Sequence, residues 1–141
     1  MFTRDELRQH QQLLRQLDRL SVEEVCVGCS RMESEAVIHR ANKFPYRSPL
    51  HFWVNSLRAI EAKGFTEFTP ADVDAALCQP ITEQEFLQLL AECLYSTMFE
   101  AKPLSLGGFR RGLWITKDWA DKSAIAEIEG DYWAAYWLTS A

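Results

Sequence analysis

Residues 102–115, KPLSLGGFRRGLWI, interrupt the helical pattern that dominates the rest of this chain of 141 residues. Gly107 and Gly108 stand between two short runs, and a glycine pair in that position is a signal for a two-residue β-hairpin turn. The stretch therefore predicts one small hairpin in an otherwise helical protein.

Helix signals on both sides of this hairpin predict a mainly α fold. Ser48 and Pro49 are typical of a helix start, and the apolar stripe that follows them ends near Ile60. Thr82 and Glu85 have the spacing of a capping box, in which each residue satisfies a free backbone N–H group of the other. We therefore predict a compact helical domain with a single hairpin.

No linker or internal repeat divides the chain, so the sequence predicts one domain with three parts. Residues 1–47 are predicted to form N-terminal helices, and residues 48–115 to form the core. Residues 116–141 are predicted to form a C-terminal aromatic helix, on which Tyr132 and Tyr136 share one face. That face is a candidate for contacts with another chain, because exposed tyrosines anchor many interfaces.

The order of predicted elements between Ser48 and Ile115 is helix, short extended segment, short helix, turn, helix and hairpin. This order resembles that of a winged helix-turn-helix, with Gly107 and Gly108 at the tip of the wing. The resemblance covers about half of the chain and rests on topology, without the sequence signature of a family. It implies a scaffold whose second helix, in DNA-binding relatives, enters the major groove.

The charge pattern argues against that use of the second helix. The formal net charge is −5, and residues 65–101, the acidic lobe, contain seven acidic residues and neither Lys nor Arg. Carboxylates on such a lobe repel phosphates and attract cationic protein surfaces. We therefore expect a partner protein with a basic surface. The predicted partner-binding residues are Asp72, Asp74, Glu83, Glu85, Glu92, Tyr132 and Tyr136.

The leading functional expectation is a small regulatory or inhibitory protein that competes with nucleic acid for a basic groove on its target. The N-terminus is polar and charged, which is atypical of a secretory signal and predicts a cytoplasmic protein that does not bind membranes. No motif for nucleophilic, phosphate-binding or metal-dependent catalysis occurs in the sequence. We therefore expect neither a cofactor nor an enzyme, although a nucleophile assembled from distant segments stays open.

Two alternatives to this expectation remain. The first is binding of nucleic acid by basic residues that lie among aromatic ones. Its candidate residues are Arg40, Lys43, Arg47, Arg110 and Arg111.

The second alternative is a zinc-stabilised adaptor that uses Cys26 and Cys29. A structural zinc site needs four ligands, and the remaining Cys and His residues form no second pair at a suitable spacing. The spacing of Cys26 and Cys29 instead favours two small thiols on the buried face of a helix that starts near Ser21.

Overall fold

The segment Asp131–Thr139 has an alternating pattern that places apolar side chains on both of its sides. Tyr132 and Tyr136 are buried on one side of the chain, and Trp133 and Ala135 are buried on the other. A period of two residues is that of a β-strand. A strand that is apolar on both faces requires a layer of structure above it and another below it.

The computed structural model describes residues 20–29, 34–46, 49–62, 77, 79–97 and 107–139. Within these residues, six strands form one antiparallel sheet in the order β1-β2-β6-β5-β4-β3. The elements in chain order are β1 (Glu23–Cys29), β2 (Ser34–Asn42), α1 (Pro49–Ala62), β3 (Gln79–Pro80), α2 (Glu83–Thr97), β4 (Phe109–Lys117), β5 (Asp121–Ile128) and β6 (Asp131–Thr139).

Two short turns join β4, β5 and β6 into a meander and mark the two ends of the sheet. At one end, Ile128 pairs with Asp131 across a two-residue turn, so we call it the Gly130 end. At the opposite end, β4 and β5 are joined by residues 118–120, and we call it the Trp119 end. Strand β2 pairs with the free side of β6 and places Asn42 at the Gly130 end.

Helix α1 covers one face of the sheet, which we call the α1 face. It contributes Phe52, Trp53 and Leu57 to a buried cluster that includes Val37 of β2 and Ile125 of β5. Burying side chains of this size typically contributes about 1.5–3 kcal/mol each to the free energy of folding. The amphipathic spacing of α1 thus determines which side of the helix meets the sheet.

Helix α2 covers the other face, the α2 face, where much of the sheet surface consists of alanine. Phe86, Leu90 and Cys93 of the helix pack in one buried cluster with Ala124 and Ala126 of β5. Small side chains allow close approach of the helix, and larger neighbours such as Trp114 and Trp133 complete this cluster.

The prediction of a mainly α, winged-helix-like fold is wrong, because the sheet dominates the structure. Strands β1 and β2 lie within residues 1–47, which were predicted to form helices, and β1 replaces the helix predicted from Ser21. Residues 116–141 hold the end of β4 and the strands β5 and β6 in place of an aromatic helix. The cause is the two-sided burial of the sheet, which produces continuous apolar runs that are also compatible with a helix.

Some local predictions are confirmed. A helix does begin at Pro49, and a second begins directly after Thr82, at Glu83. Strand β4 begins directly after the glycine pair, although the segment before Gly107 lies outside the described residues. Residues 1–19 of the predicted N-terminal helices also lie outside them. Most of the short helix predicted between the extended segment and the turn lies outside them too, but Leu77 and Gln79 at its end are not helical, and Gln79 belongs to β3.

Neither helix in the described part of the chain combines the length and the apolar character that crossing a bilayer requires.

We predict that Gly108→Ala lowers the free energy of unfolding by about 1–2 kcal/mol. Gly108 has a φ of 79°, which is unfavourable for residues with a Cβ, and a Cβ there would collide with the Glu129 side chain. Gly130→Ala is the matched control, since nothing lies within 4 Å of its added Cβ. Urea unfolding monitored by circular dichroism measures both changes. Equal losses for the two variants would contradict the strain at Gly108.

Candidate functional site

The hairpin at the Trp119 end is held in one geometry by backbone and side-chain hydrogen bonds. The Asp118 N–H donates to the Asp121 carbonyl at 2.8 Å, and the Ala120 N–H donates to the Asp118 carboxylate at 3.4 Å. Just inside the turn, the Thr116 and Ser123 hydroxyl oxygens lie 2.7 Å apart across the two strands. The tip is therefore an ordered turn with few accessible backbone conformations.

Trp119 stands at this tip with 73% of its surface exposed. A large aromatic side chain in water is unusual at an ordered position, because burial of such a ring is strongly favourable. In the described part of the chain, the other exposed large apolar side chains are Phe44, at 94%, and the less exposed Val25 and Leu77. Phe44 lies at the Gly130 end, where the Lys43 N–H donates to the Gly130 carbonyl.

A groove opens to solvent on the α2 face, beside the strands that form this hairpin. Glu85, Gln88 and Glu92 line the groove along one side of α2, together with Leu89. Trp114, Lys117 and Lys122 line it from the sheet.

Each lysine of the groove lies between a carboxylate and an aromatic ring. The Lys117 Nζ is 3.6 Å from Glu85 and 5.3 Å from the centre of the Trp114 ring. The Lys122 Nζ is 3.2 Å from Glu92 and 5.3 Å from the centre of the Trp137 ring. Both ion pairs are partly exposed, so solvent screens them and each contributes little to stability.

Glu85 serves two purposes in this groove. It accepts a hydrogen bond from the Thr82 N–H at 3.1 Å, and its own N–H donates to the Thr82 hydroxyl at 3.2 Å. The predicted capping box is thus confirmed. The backbone and side-chain hydrogen bonds of Thr82 are the main reason that the pKa of Glu85 is lowered, and Lys117 lowers it further. The carboxylate is therefore charged at neutral pH.

The described residues around Trp119 carry slightly more negative than positive charge. Two ammonium groups lie there with three carboxylates. We call this region the Trp119 surface, and its members are Glu85, Glu92, Lys117, Asp118, Trp119 and Lys122. The Asp121 carboxylate lies on the α1 face, where it accepts a hydrogen bond from Thr116.

The predicted partner-binding residues do not all lie on this surface. Glu85 and Glu92 lie in its groove, and Glu83 is exposed in the first turn of α2. Tyr132 and Tyr136 are buried in the α1 face, because they belong to a strand and not to a helix. Asp72 and Asp74 lie outside the described residues.

The predicted nucleic-acid-binding residues are mostly engaged in ion pairs at the Gly130 end. Arg40 contacts Glu23 at 2.7 Å, while Lys43 and Arg111 both contact Glu127, at 3.0 and 3.1 Å. Arg110 is exposed on β4. Arg47 lies outside the described residues.

Glu127 is a buried carboxylate, 8% exposed, which holds Lys43 and Arg111 in place. Burial raises its pKa, but the hydrogen bonds and positive charges of the two cations outweigh burial, so the pKa lies below its usual value. Beside it, a small apolar pocket is bounded by Phe52 and Tyr132. This cluster ties β5 to the start of the loop after β2.

Cys26 and Cys29 lie on β1, where they pair with Ile38 and Glu35 of β2. The shared helix face from which we predicted two buried thiols therefore does not exist. Among the described residues, no group of three or more His, Cys, Asp or Glu is arranged to hold a metal ion.

A serine and a histidine meet under α1 in the arrangement of a nucleophile and its base. The His39 Nδ1 is 2.7 Å from the Ser56 Oγ, which is 2.9 Å from the Tyr136 hydroxyl. Burial lowers the pKa of His39 to about 4 and raises that of Tyr136. All three side chains are buried, so a substrate cannot reach the serine without displacing α1. The chain of hydrogen bonds therefore serves to join α1 to the sheet.

Sequence reasoning missed Trp119 and this hydrogen-bond chain. A signal for Trp119 was present, since its neighbours in residues 117–122 are all charged apart from Ala120. The hydrogen-bond chain joins residues that are 17 and 80 positions apart, and no local pattern announces it.

No family model, no curated protein and no solved structure matches this chain. The assignment of a function therefore rests on the geometry of the described residues.

We predict that stability falls as the pH falls from about 6.5 to about 4, by about 3 kcal/mol from His39 alone. The unfolded histidine binds a proton near pH 6.5, whereas the folded one stays neutral until about pH 4, so acid favours the unfolded state. His39→Gln removes this titration and retains a side chain that forms hydrogen bonds.

Urea unfolding at several pH values measures the effect. Between about pH 6.5 and pH 4, the wild type should lose stability more steeply than His39→Gln. Above about pH 6.5, the stabilities of the two proteins should change with pH in parallel. Parallel curves for the two proteins would show that His39 is not held in its neutral form.

Proposed function

We propose that this chain is a non-catalytic binding protein, which docks the Trp119 surface onto a basic surface of a partner protein. The observation that carries the proposal is the exposure of Trp119 at an ordered turn. Tryptophan is enriched among the residues that dominate binding energy at interfaces. An ordered turn presents it with little loss of conformational entropy on binding.

Charge supports a basic partner. Glu85, Glu92 and Asp118 exceed the two lysines among them by one charge, so the surface attracts cationic groups. The overall net charge of −5 acts in the same direction at longer range. The sequence placed the acidic part of the contact on the predicted acidic lobe alone. The proposed contact includes the hairpin tip and the groove as well as helix α2.

A regulatory or inhibitory role in the cytoplasm is the form of this function that we favour. An acidic surface with an aromatic anchor can occupy a basic groove that would otherwise bind nucleic acid, because both ligands offer negative charge to the same cations. Direct binding of nucleic acid by this chain has less support, since Arg40, Lys43 and Arg111 are each paired with a carboxylate.

Replacing Trp119 should separate this proposal from its alternatives. Trp119→Ser removes the anchor from an exposed position, so the fold is expected to be unaffected while the partner's Kd rises at least tenfold. Phe44→Ser is the matched control, because it removes an exposed aromatic ring at the Gly130 end. The partner is isolated from cell extract with the tagged chain, identified by mass spectrometry and purified, and its Kd is measured by calorimetry.

The expected partner is basic, and its affinity decreases as the salt concentration rises. An acidic partner, capture that is lost on nuclease treatment, or a Kd that responds to Phe44→Ser and not to Trp119→Ser would each overturn the proposal.

A further inference from the structure

The groove of the Trp119 surface holds two ammonium groups of the chain itself, those of Lys117 and Lys122. Twice, an ammonium group sits between a carboxylate and an indole ring, once with Lys117 and once with Lys122. A carboxylate beside an aromatic face is a favourable site for any cation, and especially for a guanidinium group.

The Lys117 contact is the weaker of the two. Its Nζ is 3.6 Å from Glu85, beyond ordinary hydrogen-bond distance, whereas Lys122 approaches Glu92 to 3.2 Å. Half of the Lys117 side chain is exposed, so water can replace the ion pair at low cost. Another cation of better geometry can therefore displace Lys117 into solvent.

The groove also contains a buried donor whose hydrogen bond is poorly satisfied. Trp114 is 6% exposed, and its indole N–H approaches the Glu85 carboxylate but closes no hydrogen bond of ordinary geometry with it. A buried donor without a well-placed acceptor costs free energy. A ligand that brings an acceptor into the groove would remove that cost.

We propose that the groove receives an arginine side chain of a basic peptide segment, which replaces Lys117 over Trp114 and pairs with Glu85. A guanidinium group can bind a carboxylate through two parallel hydrogen bonds and can stack on an indole, whereas an ammonium group is a point charge. The peptide backbone also supplies carbonyl oxygens, which are the well-placed acceptors that the Trp114 N–H lacks. This proposal rests on the proposed function and names the group that the surface recognises.

Labelled peptides test the proposal directly. One peptide carries four arginines separated by serines, the other carries lysines at the same positions, and fluorescence anisotropy gives both Kd values. We expect the arginine peptide to bind at least fivefold more tightly, because only guanidinium can form the paired contact. Equal affinities would overturn recognition of guanidinium.

Variants of the groove give effects of opposite sign. Glu85→Gln keeps a side chain that can serve in the capping box and should weaken binding of the arginine peptide at least fivefold. Lys117→Met removes the competing cation and should tighten binding about fivefold. Arg110→Gln is the matched control, because it also removes one positive charge, but at a residue near the Gly130 end. It should change the affinity by less than twofold.

The indole N–H resonance of Trp114 provides a second measurement on the unmodified protein. It should move downfield when the arginine peptide saturates the groove, as expected for a newly formed hydrogen bond. If Lys117→Met and Arg110→Gln have the same effect, or if the resonance does not move, the arginine site is excluded. If Trp119→Ser loses partner binding but Glu85→Gln does not change the affinity for the arginine peptide, the arginine site is wrong and the proposed function is still supported. A partner indifferent to Trp119 would instead remove the proposed function.

Discussion

Burial of β6 on both of its faces is the constraint on which the rest of the structure depends. Its tyrosines face α1 and its tryptophans face α2, so neither helix can be removed without exposing aromatic surface to water. Because β6 lies between β2 and β5, its backbone groups are also paired on both edges. Short turns join β5 to β6 and β4 to β5, whereas β2 meets the other edge of β6 through long-range pairing.

The difference between the two faces explains where the charged groove lies. The alanines of β2, β5 and β6 have short side chains, so α2 lies close to the sheet. Phe86 and Leu90 of the helix pack against these alanines. Glu85, Leu89 and Glu92 lie on one side of that helix at spacings of four and three residues. Acids on the margin of the buried stripe therefore meet the lysines that end β4 and begin β5. Close packing of a helix is thus what creates the polar groove beside it.

The amphipathic helices could be predicted from sequence because their signals are local. Pro49 at the start of α1 and the Thr82–Glu85 box at the start of α2 are short-range features, and both helices appear where expected. The aromatic tail misled the prediction, because Tyr132 and Tyr136 share a face on a strand as well as on a helix. Spacing alone does not distinguish the two, and the strand partners that decide between them lie far along the chain.

The acidic character of α2 was also evident in the sequence, whereas the partners of its acids were not. Lys117 and Lys122 are 32 and 30 positions from the glutamates that they contact. Charge counted along a segment therefore overstated how much of it is free to meet another molecule. The hairpin that carries Trp119 depends on the pairing of β4 with β5, which the helix predicted for residues 116–141 excluded.

The hydrogen bonds among His39, Ser56 and Tyr136 have a consequence for how α1 sits on the sheet. Apolar contacts are non-directional, so a helix held by them alone can slide or rotate by part of a turn at modest cost. A hydroxyl that must meet an imidazole on one side and a phenol on the other permits a single position along the helix axis. These hydrogen bonds thus select one alignment of α1 from the several that its apolar face alone would permit.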